Sequence, residues 1–201
     1  MTILNAILKI PELRKKVFYV LVILLLYRLG SHISIPGINV SALQDMFSNN
    51  SVLGFVNLFS GGALSRFSIF ALGILPYINA SIIMQLLTII WPALKEIAEE
   101  GDAGRKQVAQ YTRYLAVGLS FFQSIVMSIG FRAYILPDTS FTFFLVYAIA
   151  SLVAGAALVM WFGELISENG IGNGASILIF IGIIAEVPFY INNTIITNNI
   201  I

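Results

Sequence analysis

The chain has 201 residues, of which 58% are hydrophobic and 10% charged, with a net charge of +1 at pH 7; its mean hydropathy is +0.91. A soluble domain carries about 25% charged residues, so this composition excludes an ordinary soluble domain and points to a polytopic membrane protein. The near-neutral balance offers no basic surface for nucleic acid. The absence of cysteine excludes disulfides, thiolate metal sites and cysteine nucleophiles.

A membrane-spanning helix takes roughly 20 apolar residues, with a range of about 17 to 25. A lipid-exposed backbone must satisfy its own hydrogen bonds, so each span is expected to be helical. Five segments fit. Residues 1–16, with Lys9, Arg14, Lys15 and Lys16, read as a cytosolic amphipathic start. The first span covers about residues 17–35. Its basic flank could imitate a secretory signal. However, "RLGSHISIPG" follows the apolar run instead of a small-residue cleavage site, so a retained anchor is expected. Arg28 lies roughly 16 Å into this span along the helix axis. A charge there costs about 2.5 kcal/mol or more unless it snorkels outward or meets an internal polar partner.

The segment 36–67 is too long and too apolar for a plain loop, and loops of this length are usually functional. "VLGFVNLF" followed by "SGGALSRF" reads as a short amphipathic helix bounded by glycines. The second span covers residues 74–91. Pro76 suits the first turn of a helix, where its missing N–H costs little, and Gly73 lets the chain break just before it. Ile74, Ile78 and Ile82 follow i, i+4 spacing and fall near one face. Asn79, Gln85 and Thr88 are neutral polar residues at lipid depth. They serve either helix–helix hydrogen bonds or a face open to water or a polar client. The piece before Gly73 is then a separate, mobile half-helix re-entering the membrane. Broken helices are tolerated at that depth only when buried in protein or lining a cavity, which points to a conduit.

The loop 92–113 holds Lys95, Arg105, Lys106 and Arg113 together with Glu96, Glu99, Glu100 and Asp102, and reads as a solvated stretch. The third span covers residues 114–133, the fourth 141–163 and the fifth 172–188. "GIGNG" at 170–174 lacks the preceding strand that a phosphate-binding loop needs, so it reads as a turn opening the fifth helix. The tail 189–201 is Asn-rich, and its "NNT" at Asn192 is read as a chance sequon. Loop bases set orientation: residues 1–16 and 92–113 face the cytosol (or stroma), while 36–67, the Pro137–Asp138 loop and the tail face outward.

Enzyme signatures are missing. His32 is the single histidine, and there is no Ser/His/Asp grouping, zinc spacing or Walker loop. The chain is therefore not read as an enzyme, and no cofactor or metal is expected.

The stretches "FSGGALSRFSIFALGILPYINASIIMQLLT", "EGDAGRKQVAQYTRY", "FFQSI" and "WFGELISENGIGNGASILIFIGI" closely resemble the SecY family, the central subunit of the bacterial and plastid protein-conducting channel. The resemblance runs from "YRLGSHISIPGI" to about Pro188, with four motifs in order. It implies an all-α integral membrane protein, with five helices forming the N-terminal half of an inverted-repeat channel and a re-entrant plug. It also implies residue roles. Asn57, Leu58, Phe59, Ser60, Gly61, Gly62, Ala63, Leu64, Ser65 and Arg66 match the plug. Ile74, Ile78, Ala175 and Ile179 match members of the hydrophobic pore ring, and Ala175 departs from the bulkier aliphatic residue often found there. Asn79, Gln85 and Gln123 match polar lateral-gate positions. Arg105, Lys106 and Arg113 lie on the partner-binding loop. Asn169 replaces a base, which weakens any claim that the turn it sits in binds a ribosome or motor.

The implied partners are SecE- and SecG-like small subunits, a SecA motor or a ribosome, signal sequences, the nascent polypeptide and the lipid bilayer. The implied location is a bacterial plasma membrane or a plastid thylakoid membrane. A translocase pore fits these features. An inverted-repeat secondary transporter would need an intramembrane carboxylate, for which Glu164 and Glu186 are the candidates, both near span ends. A truncated, non-conducting scaffold is the third reading.

Overall fold

The computed structural model describes residues 10–198, with side chains described for residues 10–188. Lys9 and the start of the amphipathic segment, the side chain of Asn192 and residues 199–201 lie outside the described residues. Among the described residues eight α-helices follow in order: α1 Pro11–Gly30, α2 Val40–Asn49, α3 Ser51–Phe59, α4 Leu75–Ile90, α5 Pro92–Glu99, α6 Asp102–Gly130, α7 Phe141–Asn169 and α8 Gly174–Asn198. A 3-10 turn, Arg132–Tyr134, joins α6 to α7. No strand ladder forms among the described residues; two isolated bridges, Ser34 to Ser68 and Ile38 to Ile135, tie the loops together.

Several boundaries differ from the sequence expectation, each for a local reason. The first helix stops at Gly30, not at residue 35, and Ser31 caps it by donating to the Arg28 carbonyl at 2.7 Å. The third span begins at Asp102 instead of 114, because the amphipathic charged stretch is itself helical and continues into the membrane helix. The loop 92–113 therefore contains helix α5 and the first three turns of α6. Helix α7 runs six residues past 163, to Asn169. Pro188 does not end the last helix but lies inside it. In an apolar setting, unwinding would strand more backbone groups than the one hydrogen bond that proline removes.

By length and composition, α6 and α7 can each cross a membrane, and α4 with α5 forms a third candidate bent by 102°. Trp91, in extended conformation before Pro92, makes the break. Helix α1 carries Glu12, Arg14, Lys15, Lys16 and Arg28, too much charge to qualify on composition alone. The apolar part of α8, Gly174–Pro188, is about 22 Å long at helical rise.

Small residues let the long helices approach. Thr112, Ala116, Ser120, Ser124 and Ser128 recur every fourth residue on the buried stripe of α6, which packs against α4 and α7. Thr112, Ser120 and Ser124 donate to carbonyls of their own helix at 2.7–2.9 Å, whereas the buried Ser128 hydroxyl has no hydrogen-bond partner among the described residues.

The apolar core lies in two main clusters. One joins Leu43, Phe47, Phe67, Phe144 and Leu152. The other joins Ile23, Tyr27, Phe70, Ile74, Val159, Ile166 and Leu178. The irregular segment 60–74 supplies a ring to each. Phe67 lies 5.8 Å from both Phe131 and Phe144. Phe70 stacks on Tyr27 at 5.8 Å and meets Phe162 edge-on at 6.2 Å. A non-helical segment is thus pinned inside a helical bundle. Its backbone groups find partners in Ile35 N–H to Phe67 carbonyl at 2.9 Å and Ile69 N–H to Ile33 carbonyl at 3.0 Å.

Candidate functional site

The expected helix break is where the structure has it. Gly73 takes φ +56°, Ile74 precedes the helix, and Pro76 occupies the first turn of α4. What comes before contains the expected short helix, α3, followed by turns in place of further helix. Helix α3 ends at Phe59, and residues 60–66 form a run of turns.

Asn57 organises these turns. Its carbonyl accepts from the Ser60 hydroxyl at 2.9 Å and from the Gly62 N–H at 3.2 Å, and its side-chain oxygen accepts from the Ser65 N–H at 2.9 Å. Ser60 Oγ accepts from the Leu64 N–H at 3.1 Å, and the Ser65 hydroxyl donates to the Gly62 carbonyl at 3.1 Å. Ser60, Gly61, Gly62, Ala63 and Ser65 are buried. A buried irregular segment needs this internal bonding, because unsatisfied backbone groups cost too much away from water.

The turns rest on α1 and α8. Arg28 donates through Nη1 to the Gly61 carbonyl at 2.7 Å, and its Nη2 lies 3.9 Å from a Glu186 carboxylate oxygen. Of the two alternatives for Arg28, the internal partner holds. Gly61 at φ +62° comes so close to Gly182 that a Cβ on Gly61 would sit 3.0 Å from the Gly182 Cα. A Cβ on Gly62 would run into the Glu186 carboxylate. Arg66 reaches His32, its Nη1 3.4 Å from Nε2, while His32 Nδ1 lies 2.8 Å from the Arg28 carbonyl oxygen. A carbonyl only accepts and a guanidinium only donates. Nδ1 therefore carries the proton, and Nε2 is the acceptor. A cavity of about 690 Å³ opens beside the turns, lined by Arg28, Asp45, Asn57, Ser65, Arg66 and Glu186 among others.

A second cavity, about 500 Å³, lies toward the α5 end, between α4, α6, α7 and α8. Ile78, Ala175 and Ile179 line it together with Tyr77, Ile82 and Gln85. Ile74 does not; it is 5% exposed and packed in the core with Leu178 and Val159. Three of the four residues expected in an apolar ring thus share one space, with the fourth buried nearby.

Arg113 also borders this cavity, with Nε donating to Glu164 at 2.6 Å. The pair ties α6 to α7. By sequence Arg113 falls in a loop and Glu164 near a span end; the helix register brings them together. With the arginine side chain 44% exposed, solvent screens the pair. A double-mutant cycle on Arg113→Leu and Glu164→Leu, read by thermal denaturation, should give a coupling of about 0.5–1 kcal/mol. A coupling near zero would mean the contact adds nothing to α6–α7 docking.

The polar gate candidates are not gathered. Gln85 borders the second cavity, Asn79 is exposed elsewhere on α4, and Gln123 is half-buried on α6. Asn79 and Gln85 are six residues apart, about 120° around the helix. Gln85 and Thr88 bond within their own helix, to Ser81 at 3.5 Å and to the Gln85 carbonyl at 2.8 Å. Arg105 and Lys106 are exposed on the first turn of α6. Lys95 and Glu99 form an exposed i, i+4 pair at 3.8 Å on α5. The Gly170–Asn173 turn is closed by Asn173, whose side chain accepts from the Ser176 N–H at 3.1 Å, and by Ser167, which accepts from the Gly174 N–H at 2.9 Å.

An all-helical, apolar bundle with a buried irregular segment beside one cavity, and a second cavity among its long helices, defines a polytopic membrane protein. The chain belongs to the SecY family, whose model matches residues 68–201. It is 48% identical to a protein translocase subunit SecY of Buchnera aphidicola over 95% of this chain and 45% of that protein. It is 46% identical to the Escherichia coli K12 protein of the same name over 92% of this chain and 43% of that one. The chain thus spans somewhat under half the length of these curated relatives. Two solved structures share the fold: a protein-conducting channel at TM-score 0.60 and 20% identity, and Sec61 in the canine ribosome–channel complex at TM-score 0.56 and 19% identity. Each match covers 90% of this chain and 41% of the other.

Proposed function

We propose that this chain forms one wall of the gated conduit of a protein translocase, which passes unfolded polypeptides across a membrane or releases apolar segments into it. The observation that carries the reading is the apolar set Ile78, Ala175 and Ile179 in one cavity, with the buried turns 60–66 packed against α8. Aliphatic side chains can close around an extended chain without binding it, and can stop ions by dewetting. Ile74 joins the ring once the segment before it moves. Asn57 to Arg66 act as the plug. Asn79, Gln85 and Gln123 border the lateral exit and meet a partner half of the channel.

In this reading residues 1–16 and the α5–α6 region face the cytosol, in a bacterial plasma membrane or a thylakoid membrane. The exposed Arg105 and Lys106 meet an acidic surface on a motor of the SecA type or on a ribosome. SecE- and SecG-like subunits brace the bundle from the lipid side.

The pairing of both candidate carboxylates favours a conduit over an ion-coupled transporter. Glu164 is held by Arg113 and Glu186 by Arg28, whereas a coupling carboxylate must load and release its cation. The test is site-specific photocrosslinking from Ile78 to an arrested secretory chain in the full-length complex. Adducts are expected at Ile78 and not at the lipid-facing Ile90, which is 75% exposed. Equal yields at the two positions would sink the pore assignment.

A further inference from the structure

Arg28 and Glu186 sit on α1 and α8, not on the turns they hold. The two arms of one guanidinium divide their work. Nη1 donates to the Gly61 carbonyl at 2.7 Å, while Nη2 faces the Glu186 carboxylate at 3.9 Å. The carboxylate is nearly enclosed, with its side chain 9% exposed, and it lies over Gly62 where no Cβ could fit. The arginine is the partly open partner, 33% exposed toward the cavity of about 690 Å³.

We infer that Arg28 and Glu186 are positioning residues that form a preset seat for the turns 60–66, and so set how often the conduit opens without a client. The inference rests on the conduit reading above. The arginine supplies the counter-charge that the enclosed carboxylate requires, and the carboxylate aims the planar fork so that one arm is left to grip Gly61. Both groups belong to the scaffold, so the pair survives when the turns leave and the seat is ready when they return. Planarity is required: a lysine ammonium is a point donor on a flexible stem and cannot hold two partners in fixed directions. The same seat explains why glycine stands at 61, 62 and 182 together. Two of these let the turn backbone touch α8, and the third clears room for the carboxylate.

The test uses the full-length, membrane-integrated protein with Ser60→Cys as a reporter, since Ser60 is 5% exposed within the turns. Labelling by a membrane-impermeant maleimide, in the absence of client, reports how often the turns leave. Arg28→Lys and Glu186→Gln should each raise the rate about tenfold, the scale set by losing a hydrogen bond to a charged donor. Asp45→Asn, which alters charge in the same cavity without touching the seat, should leave it unchanged. Unchanged labelling in Arg28→Lys and Glu186→Gln, or an equal rise in Asp45→Asn, would overturn the inference. If Glu186→Gln does not accumulate, Arg28→Lys decides alone, because it keeps the charge that Glu186 neutralises. Crosslinking from Ile78 reports on the conduit independently, so a seat without a conduit and a conduit without this seat give different results.

Discussion

Replacing Gly62 with valine is expected to unseat the turns 60–66 and to lower the stability of the protein by about 2 kcal/mol or more. Gly62 takes φ +77°, a conformation that β-branched residues avoid. A Cβ there would point into the Glu186 carboxylate, with Arg66 Nη1 3.2 Å away. The carboxylate cannot swing aside freely, because Arg28 faces it and its side chain is 9% exposed. Backbone strain and loss of the seat therefore act together. In the intact protein the expected results are a lower midpoint of thermal denaturation and, on the proposed conduit reading, a raised ion leak across the membrane. Gly118→Ala is the control. A Cβ at Gly118 meets nothing within 4 Å, and alanine is the better helix former by about 1 kcal/mol. A Gly62→Val protein as stable and as ion-tight as that control would refute the account of the turns.

Phe67→Ala should cost about 3 kcal/mol, toward the lower end for a buried phenylalanine. Phe67 is 0% exposed, and its ring is 5.8 Å from both Phe131 and Phe144. In a membrane protein the lost term is chiefly packing, since lipid is as apolar as the core; this sets the lower figure. Phe67 has φ +46°, and alanine keeps that strain, so no relief offsets the cavity. Phe67→Leu, which retains most of the apolar volume, should cost less than half as much. Chemical denaturation in mild detergent measures both. Equal losses would show that backbone strain, not ring packing, dominates at this position.

Much of this architecture was legible without coordinates. Gly73 and Pro76 mark the start of α4 because each constrains its own backbone, whatever surrounds it. Membrane character follows from composition, and the four motifs carry family membership. The legible part fades where one pattern supports two conformations. "VLGFVNLF" forms the expected short helix, Ser51–Phe59, but in "SGGALSRF" Asn57 and Ser60 recruit the backbone into turns, and local side-chain bonds of that kind compete with helix. The stretch 102–113 reads as loop by charge, yet it forms the first three turns of α6, because a charged amphipathic helix is stable on the rim of a bundle.

The sequence by itself determined a polytopic helical membrane protein of this family, with its central span broken before Pro76. Periodicity and glycine placement state what each residue prefers beneath and beside it. Only the tertiary structure decided that Arg28 faces Glu186, that Arg113 faces Glu164, and that Gly61 lies against Gly182. Those pairings depend on the relative rotation and depth of helices far apart in the chain. Helical periodicity tells which face a residue occupies but not which neighbour that face will meet.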